Sequence, residues 1–134
     1  VNVSKFNGKI NGVGGFINIS QNARKLVFTG TFTASGLVER CGGGRLEILQ
    51  EGVYKKLREQ VEQISFSGVY ASQAGQEVVF VTERAVFRLE NGKIVLTEIA
   101  PGVELKKDIF DQMEFVPEIS PALKTMQEEL FKDD

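Results

Sequence analysis

Three runs rich in β-branched and other apolar residues dominate the second half of the chain: Glu77–Thr82, Ala85–Glu90 and Lys93–Ile99. Such runs predict strands. The last two are separated only by Asn91-Gly92, whose two residues readily take positive φ and so specify a tight hairpin. Earlier, Leu26-Val27-Phe28 and Phe32 stand among Thr29, Thr31 and Thr33, predicting a central strand over Lys25–Ser35 that is interrupted only by Gly30. Arg45–Gln50 alternates apolar and polar positions and reads as the returning strand of a hairpin. Its reversal is the cluster Cys41-Gly42-Gly43-Gly44, and Glu51-Gly52 is the next turn. At the start, Val1, Val3 and Phe6 alternate with polar residues as a short edge strand or extended arm, closed by Asn7-Gly8.

Helical spacing is scarcer. Leu105, Ile109 and Met113 recur every four residues, with Val103 and Phe110 beside them, which predicts an amphipathic helix over Glu104–Met113. Phe115-Val116-Pro117 and Ser120-Pro121 end it. A short helix is also expected over Phe16–Ala23, directly after the glycine-rich loop Gly12-Val13-Gly14-Gly15. The segment Lys55–Gln63 fits either period, with a strand favoured near Ile64–Phe66, and a turn is expected over Ser72–Gly75. Residues 122–134 form a polar tail in which Leu123, Met126, Leu130 and Phe131 are available to pack against the domain or a partner.

At 134 residues, 42% hydrophobic and 25% charged, the chain has the size and balance of a single domain or domain fragment spanning 1–134. A core of that size needs neither disulfide nor structural metal. Histidine is absent and Cys41 is the lone cysteine, so a Ser-His-Asp or Cys-His nucleophile and the usual zinc sites cannot be built within this chain. A net charge of −2, with no basic run interleaved with aromatics, argues against nucleic acid as a partner. No apolar stretch has the length of a membrane span and no signal-peptide pattern opens the sequence, so the expectation is no membrane and a reduced, cytoplasmic setting. Val1 stands where an initiator Met would, and a fragment of a longer protein is expected.

The candidate chemistry sits in the glycine loop. Three glycines in four residues allow a sharp turn and let bare N–H groups approach an anion at a helix N-terminus. The plain alternative is a tight structural turn. Glu83-Arg84 places two opposite charges between two predicted strands, where they fix the turn or meet another part of a larger protein, with a solvated turn pair as the plainer reading. Cys41 has no base beside it in sequence and reads as incidental. Lys55, Lys56 and Arg58 form a small basic group that suits a phosphate-bearing ligand, although a charge cluster of that size is usually just surface.

The order of several stretches carries more than any one of them. Gly12-Val13-Gly14-Gly15-Phe16, Asn22–Phe28, Thr82–Phe87, Leu96–Gly102, the helix Leu105–Met113 and the closing Phe115–Pro121 together resemble the C-terminal part of family I coenzyme A transferases. The similarity is greatest to the propionate or acetyl-CoA:acetoacetate type and covers nearly the whole chain. It implies an α/β fold, here the β-rich C-terminal portion of an open sheet flanked by helices. The implied reaction moves coenzyme A between a short-chain acyl-CoA and a carboxylic acid, with coenzyme A as substrate and no permanently bound cofactor. In the family a glutamate forms a glutamyl-CoA thioester; its Glu-x-Gly motif lies upstream of the matching region and is absent from this sequence, so no nucleophile is assigned. The resemblance makes Gly15 and then Gly14 the backbone donors of an oxyanion hole, with Gly12 setting the turn and Phe16 covering the acyl pocket or serving the core. It further implies the remainder of the transferase chain as partner and a homo-oligomer. Relatives that hydrolyse acyl-CoA or work within a lyase complex, and a non-catalytic β-rich assembly module, are the alternatives.

Overall fold

A computed structural model describes residues 3–6, 9–10, 16–59, 63–64 and 68–132. In chain order these residues form β1 (Val3–Phe6), β2 (Lys9–Ile10), α1 (Phe16–Asn22), β3 (Lys25–Gly30), β4 (Thr33–Ala34), β5 (Val38–Gly42) and β6 (Arg45–Gln50). There follow β7 (Tyr54–Lys55), β8 (Gln63–Ile64), α2 (Gly68–Gln73), β9 (Glu77–Thr82), β10 (Ala85–Glu90), β11 (Lys93–Ile99) and β12 (Glu118–Thr125). A wide helical turn at Leu105–Ile109 runs into a tighter one at Phe110–Gln112, and another tight turn spans Glu128–Phe131. The fold is β-rich, as expected. Among the described residues no helix is long and apolar enough to cross a membrane.

A five-stranded mixed sheet in the order β12-β11-β10-β9-β3 organises the rest. Its centre is the antiparallel meander β9-β10-β11, flanked by two parallel pairings, β3 on β9 and β12 on β11. The Asn91-Gly92 turn takes φ values of 50° and 76°, and the register Glu90↔Lys93 closes the two-residue hairpin read from the sequence. β10 is covered on both faces. Ala85 and Phe87 face a cluster with Phe32, Leu96, Ile109 and Met113, whereas Val86 faces a second one with Leu46, Val79, Ala100, Met126 and Phe131. Stacked Phe28 and Phe80, whose ring centroids are 5.2 Å apart, extend the first face toward β3.

Several expectations are corrected. β3, expected as a central strand running on to Ser35, stops at Gly30 and stands at the edge of the five-stranded sheet. Its burial explains this: Val27 is exposed, and Leu26 and Phe28 are half-buried. β1, expected at an edge, lies between β2 and β8 in a small separate sheet; Asn7-Gly8 falls outside the described residues, as do Ser65 and Phe66 beyond β8. The turn expected over Ser72–Gly75 is present, with Gly75 at a φ of 72° and its N–H donating to the Ser72 carbonyl at 3.2 Å, but it closes a helix, α2, that the sequence does not announce. Ser120-Pro121 does not bound a loop but lies within β12. That strand is the other edge of the sheet, and its register slips between Leu96↔Ile119 and Glu98↔Lys124, which accommodates a residue with no N–H to donate. Beyond it, Met126 and Phe131 of the polar tail are buried in the second cluster, and Leu130 is exposed.

The β5–β6 hairpin turns at Gly43-Gly44, both at positive φ, and joins the sheet through Leu46, whose N–H donates to the Pro101 carbonyl at 2.8 Å. At its far end Gly52 lies against β4. A Cβ there would stand 2.5 Å from Thr33 Oγ1 and 2.7 and 2.8 Å from the Ala34 carbonyl oxygen and nitrogen. Gly52→Ala is therefore expected to destabilise the fold by about 1–3 kcal/mol, because backbone cannot yield as a flexible side chain can. A urea midpoint equal to that of the parent chain would show that the approach is looser than this.

Candidate functional site

Of the residues singled out in the sequence, Gly12, Gly14 and Gly15 lie outside the described residues, and Phe16 opens α1. The helix those glycines lead into is present, ends at Asn22 and is fastened at its far end. Gln76 Nε2 donates to the Ser20 and Ala23 carbonyls at 2.6 and 2.5 Å, and Glu77 N–H donates to the Arg24 carbonyl at 2.9 Å. Ser20, within this helix, is buried. The element that follows the loop is thus anchored to β9, the strand that also pairs with β3.

The strongest electrostatic feature departs from the sequence reading. Arg84 is no solvated turn residue: its side chain is 0% exposed, and its guanidinium lies 5.0 Å from the Phe32 ring centroid. All five of its N–H groups are used. Nε donates to Glu83 Oε1 at 2.7 Å; Nη1 donates to Glu51 Oε2 at 2.7 Å and to the Asp108 carbonyl at 3.1 Å; Nη2 donates to Glu51 Oε1 and Glu39 Oε1, each at 3.1 Å. Three carboxylates from three parts of the chain therefore meet one buried cation. Glu83 also accepts from the Phe32 N–H at 2.8 Å, and Glu51 accepts from the Thr33 hydroxyl at 2.5 Å and the Gly52 N–H at 3.1 Å. The cluster ties the β5–β6 hairpin, the β9–β10 turn and the Leu105–Ile109 turn together.

The environment splits its carboxylates. Burial, the adjoining Glu83 carboxylate and its charge push Glu39 from about 4.5 to about 7, although Arg84 pulls the other way. Burial also pushes Glu51 up, but hydrogen bonds from Arg84, Thr33 and Gly52 and the charge of Arg84 outweigh it and hold Glu51 below the ordinary carboxylate range. Burial of the guanidinium is likewise outweighed by Glu51 and Glu83, so Arg84 stays charged. No sequence spacing points to this arrangement, since Glu51 and Glu39 lie 33 and 45 residues from Arg84.

A cavity of about 690 Å³ opens between the hairpin and the segment Gly102–Asp108, bounded by Arg40, Cys41, Arg45, Glu104, Lys107 and other residues of these two segments. Its basic and acidic walls are balanced. Cys41 is an exposed thiol at its rim. Lys56 donates to the Thr31 hydroxyl at 2.8 Å, and Arg58 Nε lies 3.4 Å from Glu114 Oε2, so part of the basic group is occupied within the fold. Among the described residues no group of His, Cys, Asp and Glu is placed to hold a metal ion.

Similarity to known proteins agrees with the resemblance in the motifs. No family model matches the chain. It is 51% identical over 138 residues to the caffeate CoA-transferase of Acetobacterium woodii, and 52% identical over 133 residues to the acetate CoA-transferase YdiF of Escherichia coli O157:H7. Each match covers 99% of this chain. The chain spans about a quarter of the length of these curated relatives, 26% and 25% respectively. The crystal structure of the E. coli O157:H7 acyl-CoA transferase YdiF, as a thioester complex with CoA, superposes with a TM-score of 0.95 at 52% identity over 99% of this chain and 26% of that one. The apoenzyme of the same transferase gives the same score over 98% of the chain.

Proposed function

The chain belongs to the CoA-transferase family, and on that premise we propose that it forms the C-terminal portion of an enzyme moving coenzyme A between a short-chain acyl-CoA and a carboxylic acid. The observation that carries this reading is the TM-score of 0.95 to an acyl-CoA transferase solved as a thioester complex with CoA. In this reading the nucleophilic glutamate and most of the acyl pocket come from the remainder of the transferase chain, through a glutamyl-CoA thioester. This portion contributes Gly15 and Gly14 as backbone donors to the oxyanion, Gly12 as the turn before them, and Phe16 at the acyl pocket. The physical requirement is a pair of N–H groups about 2.7–3.1 Å from the developing oxyanion, which a glycine backbone reaches without a Cβ in the way. The fastening of α1 by Gln76 and Glu77 supports the idea, because a donor loop works only if the element behind it is fixed.

The test is a chimera in which this chain replaces the matching C-terminal quarter of the E. coli acetate CoA-transferase. Acetyl-CoA is supplied with propionate and, separately, with acetoacetate. Transfer to either acid is the expected result. A folded chimera that releases free thiol without an added acid would instead make the protein a hydrolase, and a folded, silent chimera would favour an assembly module.

A further inference from the structure

Two neighbouring N–H groups of a guanidinium usually grip the two oxygens of one carboxylate, and Nη1 and Nη2 of Arg84 hold Glu51 in this way. The other edge of the same group is different: Nε holds an oxygen of Glu83, and Nη2 also holds an oxygen of Glu39. Two separate carboxyl groups are thereby brought against each other at a cation with no exposure to water. One guanidinium offsets one negative charge, whereas three ionised glutamates would leave the cluster with a surplus of two. Like charges so placed do not both ionise readily, and a single proton between them turns repulsion into a hydrogen bond.

We propose that Glu39 and Glu83 share one proton in the folded chain, and that this proton seats the β5–β6 hairpin against the sheet, making the docking of the hairpin dependent on pH. Glu39 is the hairpin's contribution to the cluster from β5, and Glu51 follows β6 directly. The charged groups acting on Glu39 are Glu83 and Arg84 from the β9–β10 turn; Glu51, from the end of β6, takes the Nη1–Nη2 edge of the same guanidinium. From the Leu105–Ile109 turn only the Asp108 carbonyl enters the cluster; the Asp108 carboxylate accepts from the Glu104 N–H at 2.9 Å instead. On the hairpin itself, Arg40 and Glu47 pair with each other across the strands. Removing the proton leaves Glu39 and Glu83 as two anions on one edge of the same guanidinium. The nearest relief is for Glu39 to swing outward with β5, because Glu83 is held by the Phe32 N–H and Arg84 Nε.

The sign follows from the upward shift of Glu39 to about 7. Between an unfolded value near 4.5 and that folded value, the native chain holds a proton that the unfolded chain has released. Stability from this group is therefore present at the acid end of the window and is lost as pH rises through it.

The experiment is a titration of the intact chain with ¹³C-labelled glutamate carboxyls, read by NMR, together with hydrogen exchange of the Val38–Gln50 amides. One carboxyl is expected to titrate close to neutrality. Glu39→Gln, whose amide keeps a donor toward Glu83, removes that transition, and Glu83→Gln moves it to lower pH by removing the like-charged partner. Amide protection in the hairpin, compared at equal pH, is expected to fall toward alkaline pH in the parent chain but stay level in Glu39→Gln. Carboxyl titrations that all fall in the ordinary glutamate range would overturn the shared proton. If Glu39→Gln does not fold, Glu83→Gln decides the point, since a near-neutral transition left unmoved in that variant would equally overturn it. Equal loss of protection in the parent and Glu39→Gln would overturn the link to the hairpin.

Discussion

Replacing Arg84 by alanine is expected to destabilise the fold by about 3–5 kcal/mol near neutral pH, the effect typical of stripping one partner from a buried ion pair. The magnitude follows from what remains behind. Five hydrogen bonds disappear at once, and the carboxylates of Glu39, Glu51 and Glu83 are left facing a space with no cation. The Phe32 ring also loses the guanidinium 5.0 Å from its centroid. Arg84→Lys is expected to recover only part of the loss, because an ammonium has three donors on a point charge and cannot grip Glu51 with a planar fork. The deficit has a pH signature as well. Without the cation Glu51 loses the group that chiefly offsets its burial and takes a proton more readily in the folded state, so the variant regains stability as pH falls and loses it as pH rises. Urea midpoints at acid and neutral pH measure both. A neutral-pH loss below about 1 kcal/mol would place the cluster with exposed ion pairs instead.

The second large effect concerns rate. On the oxyanion reading, Gly15→Val in the assembled transferase is expected to lower kcat about 10²–10³-fold, equivalent to roughly 2.7–4 kcal/mol of barrier, with a smaller change in KM. The asymmetry is the informative part, because a donor aimed at the tetrahedral intermediate acts on the transition state more than on bound substrate. Gly14→Val should follow the same pattern to a lesser degree. Thermal melting in parallel separates a displaced donor from a failed fold. Turnover within a few-fold of the parent, in a folded enzyme, would remove the loop from the chemistry.

What the sequence disclosed about the fold was whatever is settled over short distances. Asn91-Gly92 fixes a hairpin by its own backbone preferences, so β10 and β11 were legible, and the alternation along Arg45–Gln50 likewise identified β6. β12 was not legible. Its partner β11 is parallel and lies across an intervening helical segment, and Pro121 reads as a breaker to any local rule. α2 is short, half polar and without charged residues in its first or last turn, so neither period nor capping announced it. Arg84 shows the same limit in the site: a charge between two strands reads as exposed unless its distant carboxylates are known to converge. The family was legible for another reason, since a succession of short motifs in a fixed order identifies a relative even when no single motif specifies chemistry.

The parallel pairing of β3 with β9 also bears on how the chain tolerates change. Everything between Gly30 and Glu77, including the β5–β6 hairpin and α2, is one long closure between two adjacent strands. The entropy of closing a flexible loop grows only logarithmically, by about 0.6 kcal/mol for each doubling in length. Insertions at exposed points of that excursion are therefore thermodynamically mild as long as the contacts at Arg84 and Leu46 are kept. The two-residue link at Asn91-Gly92 has no such latitude, since its length sets the register of the sheet's centre. Length variation in such a chain belongs to the excursion, and constancy of length to the meander.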